Sequence, residues 1–179
     1  MIIGVSGKSG SGKSSVSRYI AKRLDYTLLD LDLISKEIRQ EYKNKILRIV
    51  KKDILKGEEI DSKKLGAILF ENKRLMARYN AFMYKKLKEK IKQYKGDIII
   101  DSIFLPVMSI FKKLDIKILV VCDDSNRMTR VIKRDNVTKE YFLARDGKGL
   151  NYNHKDFDFI INNDGDFKDD VDKLLRKIA

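Results

Sequence analysis

The chain has one cysteine, one histidine and one proline in 179 residues, and no tryptophan. A single thiol, Cys122, excludes an internal disulfide and a multi-cysteine zinc site. It closes the apolar run 116–122, which predicts a buried, inert thiol rather than a nucleophile. His154 has no cysteine near it and is expected on a surface loop, not at a metal. Pro106 stands alone, so there is no proline-rich linker, and no repeat or low-complexity tract is present. No apolar run reaches the roughly 18 residues of a membrane span. Met1 leads straight into an apolar strand pattern, which leaves no room for a secretory signal and makes a cytoplasmic protein the default expectation. The length suits one domain with a substantial core.

Acidic residues are also scarce. Lys and Arg number 39 against 26 Asp and Glu, for a formal charge of +13. Much of the excess lies in residues 36–95, which hold 19 basic and 8 acidic side chains. Such a segment fits nucleic acid, a membrane surface or a polyanionic small substrate. The dominance of Lys over Arg favours a solvated helical surface for most of it.

What is present is concentrated at residues 7–14, Gly-Lys-Ser-Gly-Ser-Gly-Lys-Ser, a complete G-x-x-x-x-G-K-[ST] loop. Apolar 2–5 reads as a strand before it, and 13–24 as a helix after it, with Val16, Ile20 and Leu24 on one face. Glycines in this setting reach positive φ and turn backbone N–H groups onto an anion, and the helix end adds donors. The pattern predicts binding of a nucleoside triphosphate, ATP first, by Gly7, Lys8, Ser9, Gly10, Ser11, Gly12, Lys13, Ser14 and Ser15. Lys13 is expected on the β- and γ-phosphates and the Ser14 hydroxyl on Mg²⁺.

Further strands are expected at 26–30, 97–101, 116–122 and 157–161, with helices at 107–113, 124–135 and 167–178. This alternation predicts an α/β P-loop NTPase sandwich of three layers around a five-stranded parallel sheet. Residues 33–95 break the alternation and read as helices at 33–55, 62–71 and 73–94, an insert over the carboxyl edge of the sheet where a second substrate binds. Polar 135–156, with Gly147 and Gly149, reads as a lid. The expected plan is a single domain, 1–179, with a core of 1–32 and 96–179, the helical insert 33–95 and the lid 135–156.

A phosphotransferase needs carboxylates and cations beyond the loop. Asp30, Asp32 and Asp101 stand at expected strand ends. Asp30 is read as a helix cap, Asp32 as the acceptor-activating group and Asp101 as holding a Mg²⁺-bound water. Arg127, Arg130 and Arg134 share a helix face by spacing. Arg134, at the lid entry, is the choice for the transferring phosphoryl group, with an ion pair to Asp135 as its structural alternative.

These residues together resemble the dephospho-CoA kinases, small P-loop kinases of the nucleoside-monophosphate-kinase class. The resemblance spans nearly the whole chain: Ser6 with the 7–14 loop, Asp30-Leu31-Asp32 followed by Ile34 and Lys36-Glu37, Gly57 to Asp61 with Leu65 and 68–70, Arg134 to Thr138, and Asn162-Asn163 with Gly165. It implies transfer of the ATP γ-phosphoryl to the ribose 3′-hydroxyl of dephospho-CoA, with Mg²⁺. By position it implies Asp32 as the base, Lys13 and Arg134 as phosphate cations, Asn162 near the adenine, and Ser6, Lys36, Arg39 and Asp101 with Asp32 on the acceptor side. Met83-Tyr84 stands where the family carries His-Pro, and 102–107 lacks the family's glutamate. A kinase of nucleosides or nucleoside monophosphates is the second reading. A nucleotide-dependent nucleic-acid binder is the third, without an aromatic stacking platform to support it.

Overall fold

A computed structural model describes residues 1–147 and 149–178. In chain order the elements are β1 (Ile2–Ser6), α1 (Lys13–Leu24), β2 (Thr27–Asp30), α2 (Leu31–Glu41), α3 (Lys43–Val50), β3 (Leu55–Lys56), β4 (Glu59–Ile60), α4 (Ser62–Glu71), α5 (Lys73–Ile91), β5 (Ile98–Asp101), β6 (Ile116–Val121), α6 (Asp124–Asp135), α7 (Lys139–Asp146), β7 (Phe159–Asn162) and α8 (Lys168–Ile178). They gather into two compact units, 1–30 with 95–179, and 31–94.

The first unit is a five-stranded sheet in the order β2-β5-β1-β6-β7. Every pairing is parallel, and the register sets Gly4 beside Ile100 and Lys117, and Asp30 beside Asp101. The central strands are apolar on both faces, as a doubly covered parallel sheet requires. Ile3, Val5, Ile99, Ile118, Val120 and Ile161 pack under Val16 and Ile20 of α1 and Val171, Leu174 and Leu175 of α8. On the opposite face Gly4 leaves room for Leu114 and Leu105; a Cβ there would fall 2.3 Å from Leu114 Cδ1. Tyr19 meets Phe167 edge to face at 5.8 Å and donates its hydroxyl to Asp172, fastening α1 to α8.

The second unit is helical apart from the β3–β4 hairpin, which turns at Gly57 with φ 62°. Its core includes Ile38, Ile46, Leu65, Leu69, Met83 and Leu87. Asp61 and Asn72 cap α4 and α5 by accepting main-chain N–H bonds.

Several boundaries differ from the sequence expectation for local reasons. The helix expected at 33–55 is two helices. The chain leaves helical geometry at Tyr42 and ends α3 with Lys51 at φ 55°, after which Asp53 accepts from Leu55 N and starts the hairpin. The helix expected at 107–113 is two 3₁₀ turns, 105–107 and 109–113, separated by extended Met108. The last strand starts two residues late because Phe157 turns aside to stack edge to face on Phe111 and Tyr152. Within the expected lid, 139–146 forms the unanticipated helix α7, capped by the Thr138 hydroxyl; Lys148 lies outside the described residues. Cys122 stands just past β6 and is half-buried, not in the core.

Ile99 is fully buried in the central sheet. Ile99→Ala should cost about 2–5 kcal/mol of unfolding free energy in urea titration. A loss under about 1 kcal/mol would mean that the sheet packing described here is wrong.

Candidate active site

The loop between β1 and α1 is shaped by three glycines with distinct roles. Gly7 sits against β6, where a Cβ would lie 2.4 Å from the Val120 carbonyl oxygen. Gly10 and Gly12 hold φ of 82° and 85°, the left-handed region that other residues adopt only with strain. Gly12 is also the N-cap of α1, and no side chain caps that helix. The helix-end N–H groups and dipole are thereby left for an anionic ligand.

Three side chains grip the loop's carbonyls. Arg127 Nε donates to Ser9 O at 3.1 Å, Arg130 Nη1 to Gly10 O at 3.4 Å, and Asn163 Nδ2 to Ser11 O at 2.8 Å. In a trans peptide the carbonyl of one residue and the N–H of the next point opposite ways. Holding Ser9 O and Ser11 O therefore turns the Gly10 and Gly12 N–H groups to the other side of the loop, where successive amides form an anion-binding concavity. Ser11 N closes the turn onto Lys8 O at 3.1 Å.

Lys13 and Asp101 meet at the base of this loop. Asp101, the last residue of β5, is fully buried, and its Oδ1 lies 2.9 Å from Lys13 Nζ. Apart from Lys13, no side-chain or main-chain donor among the described residues hydrogen-bonds to the Asp101 carboxylate. Lys13 Nζ also lies 3.4 Å from the half-buried Ser14 hydroxyl. Lys13, Ser14 and Asp101 are thus brought together. Ser15 is exposed on α1.

Arg134 donates through Nε and Nη2 to Asp135 and through Nη2 to Ser9 Oγ at 3.3 Å, so the anticipated ion pair and a loop contact coexist. The Asp135 carboxyl is held below its ordinary range by that guanidinium. Ser6, expected on the acceptor side, is fully buried and donates to Ser102 O at 3.0 Å; it ties β1 to the exit from β5 instead of presenting an open hydroxyl. Asn162 is exposed, and its side chain accepts from Asp164 N; its neighbour Asn163 is the one that grips the loop. Asp30 ends β2 level with Asp101 and immediately precedes α2. Asp32, Lys36 and Arg39 follow on α2 in the helical unit, spaced by four and three so that they share a stripe apart from buried Leu31, Ile34 and Ile38. Met83 is buried in the core of that unit, so the family's altered His-Pro position is a packing site here.

Arg130 and Asn163, which sequence reading did not single out as loop braces, belong to a wider lock. Asp164 accepts from Asp123 N, Asn126 Nδ2 and the Cys122 thiol, while Arg130 also bonds Asn163 O and Cys122 Sγ. The three-residue spacing of Arg127 and Arg130 was the available signal. The contact of Asn163 depends on β7 lying beside β6, which sequence spacing alone does not reveal.

The profile described as Dephospho-CoA kinase matches residues 1–169. The chain belongs to the dephospho-CoA kinase family. That family is one of ATP-dependent phosphotransferases. A relative named Dephospho-CoA kinase from Fusobacterium nucleatum is 33% identical, with 98% of this chain and 96% of that protein aligned. One from Bacillus cereus is 27% identical over 99% and 96%. In fold, the chain resembles a Thermus thermophilus protein (TM-score 0.83, 21% identity, 100% and 98% covered) and a dephospho-CoA kinase from Campylobacter jejuni (TM-score 0.58, 23% identity, 99% and 96% covered). No described helix is long and apolar enough to cross a membrane.

Two outcomes follow for the lock around Asp164. Burial, then the hydrogen bond to Asp164, pushes the Cys122 thiol up to about 11. At pH 8 it should react with iodoacetamide roughly a hundredfold more slowly than an unperturbed thiol; an ordinary thiol rate would contradict the lock. Hydrogen bonds from Asn126, Cys122 and the Asp123 amide hold Asp164 down to about 2. A depressed carboxylate stabilises the fold above its unfolded pKa near 4 and loses that contribution as pH falls through 2. The melting temperature should therefore drop between about pH 4 and pH 2, less steeply in Asp164→Asn, as differential scanning calorimetry would show.

Proposed function

We propose that the chain transfers the γ-phosphoryl group of ATP to the 3′-hydroxyl of dephospho-CoA, the last step of coenzyme A biosynthesis, in the cytoplasm. The observation that carries this reading is the family match over 1–169, which takes in the helical unit as well as the loop of 7–14. A P-loop alone would support only a bound triphosphate.

In this reading the loop amides, the α1 N-terminus and Lys13 bind the β- and γ-phosphates. Phosphoryl transfer needs positioning and charge neutralisation more than covalent chemistry, so these fixed donors and cations carry much of the catalysis. Arg134, already at Ser9 Oγ, meets the γ-phosphoryl as negative charge spreads over its oxygens. Asp32 orients the acceptor hydroxyl and takes its proton late, since a ribose hydroxyl is too weak an acid to ionise beforehand. Lys36 and Arg39, on the same stripe of α2, face the acceptor's phosphates. Asn162 contacts the adenine side.

The residues present fit Mg²⁺. Asp101 is a buried carboxylate that meets Lys13 and accepts no other hydrogen bond among the described residues, and Lys13 also reaches the Ser14 hydroxyl. No group of three His, Cys, Asp or Glu side chains is assembled among the described residues, which suits an ion that keeps waters and takes phosphate oxygens. Ser14 would hold the ion directly and Asp101 through a water, and the bound ion would supply positive charge that offsets the charge of the phosphates.

Incubation with Mg-ATP and a panel of dephospho-CoA, nucleosides and nucleoside monophosphates, with products followed by mass, tests the acceptor. CoA is the expected product. Turnover of a nucleotide without CoA would overturn the reading. Asp32→Asn should lower kcat by about two to four orders of magnitude with nearly unchanged ATP affinity; an equal loss of ATP affinity would assign Asp32 to the fold or the metal.

A further inference from the structure

Arg127 has an environment that phosphate binding alone does not explain. Its side chain is 2% exposed, although it lies on a polar helix. The guanidinium donates to Ser9 O in the loop, to Asp124 at the start of α6 and to Asp146 at the end of α7, and its carbon lies 5.7 Å from the centre of the Phe142 ring. Its own backbone carbonyl sits where a Cβ on Gly10 would fall, 2.6 Å away. A buried arginine with its donors distributed in this way is fixed in one orientation. Removing one anionic partner would leave it undercompensated and free to turn.

We propose that Asp146 is a positioning residue for ATP binding. It fixes Arg127, Arg127 fixes the Ser9–Gly10 peptide, and that peptide aims the Gly10 N–H at the phosphates. Helix α7 and the phosphate loop are thereby coupled through one buried guanidinium, so that the lid segment and the donor site order together. Arg127 Nε donates to Ser9 O, and Nη2, on the same edge of that planar group, donates to Asp146.

The sign of the effect separates this role from simple electrostatics. Asp146 Oδ2 also lies 3.7 Å from Lys8 Nζ, on the loop itself. If Asp146 acted only as a negative charge beside an anion site, its removal would tighten ATP binding. If it acts through Arg127, its removal weakens ATP binding, because a misaimed loop amide loses a charge-assisted hydrogen bond.

The inference rests on ATP occupying the loop. Calorimetric titration of the full chain with Mg-ATP, on wild type, Asp146→Ala and Asp146→Glu, tests both statements separately. Hydrogen exchange of the nucleotide-free proteins accompanies it. The expected result is an ATP Kd raised about fivefold to tenfold in Asp146→Ala and largely restored in Asp146→Glu, with faster exchange confined to residues 7–14 and 139–146. An unchanged or lowered Kd would overturn the positioning role. So would faster exchange throughout the chain, which would make the pair a general stability element. Failure of the wild type to bind ATP would instead overturn the reading of the loop.

Discussion

The arrangement depends on a buried charge pair, Lys13 with Asp101. Neither group is tolerable alone at that depth: an isolated buried charge costs several kcal/mol. Asp101 reaches its position because β5 pairs with β1 and ends beside Val5, just before the loop begins. Lys13 reaches its own because Gly12 turns the chain into α1 at the same sheet edge. The pair therefore joins the end of β5 to the start of α1, the strand and the helix proposed to serve the metal and the phosphates. In the protein alone the lysine's charge is met by Asp101, and in the proposed complex the phosphates share it.

Around that pair the loop is held from outside. Arginine and asparagine side chains occupy its carbonyls, and the opposite faces of the same peptides are left with donors. These bonds brace a loop that has two residues at positive φ. They also explain why α6 carries arginines at 127, 130 and 134: each reaches the loop at a different point, Ser9 O, Gly10 O and Ser9 Oγ. A preorganised set of donors avoids reorganisation during the reaction, which is where electrostatic catalysis has its advantage.

Much of this was legible in the amino-acid sequence, because some signals are local. Residues 7–14 and the flanking apolar patterns specify strand, loop and helix without help from the rest of the chain, and α1, α4 and α6 have the bounds their periodicity predicts. The carboxylate at 101 was visible as an acid closing a run of isoleucines. What stayed hidden depends on distant contacts. The roles of Asn163 and Asp146 arise only when β7 and α7 lie near the loop, and Ser6 faces inward because β5 continues into Ser102 beside it. The break at Tyr42 interrupts a stretch whose composition favours helix, so tertiary packing decided against propensity there, whereas the turn at Gly57 falls in the gap expected between the helices at 33–55 and 62–71.

Asp101 is the counterion of Lys13, and we propose that it is also the metal-side carboxylate of a phosphate site. ATP affinity of wild type and Asp101→Asn, measured in EDTA and again in excess Mg²⁺, tests it most directly. The account predicts that metal-free ATP binds the variant more tightly than wild type, since a negative charge has gone from beside the phosphates and Lys13 is released to them. It also predicts that the gain in affinity on adding Mg²⁺ is smaller in the variant. Equal metal-free affinity together with an undiminished Mg²⁺ gain would contradict it.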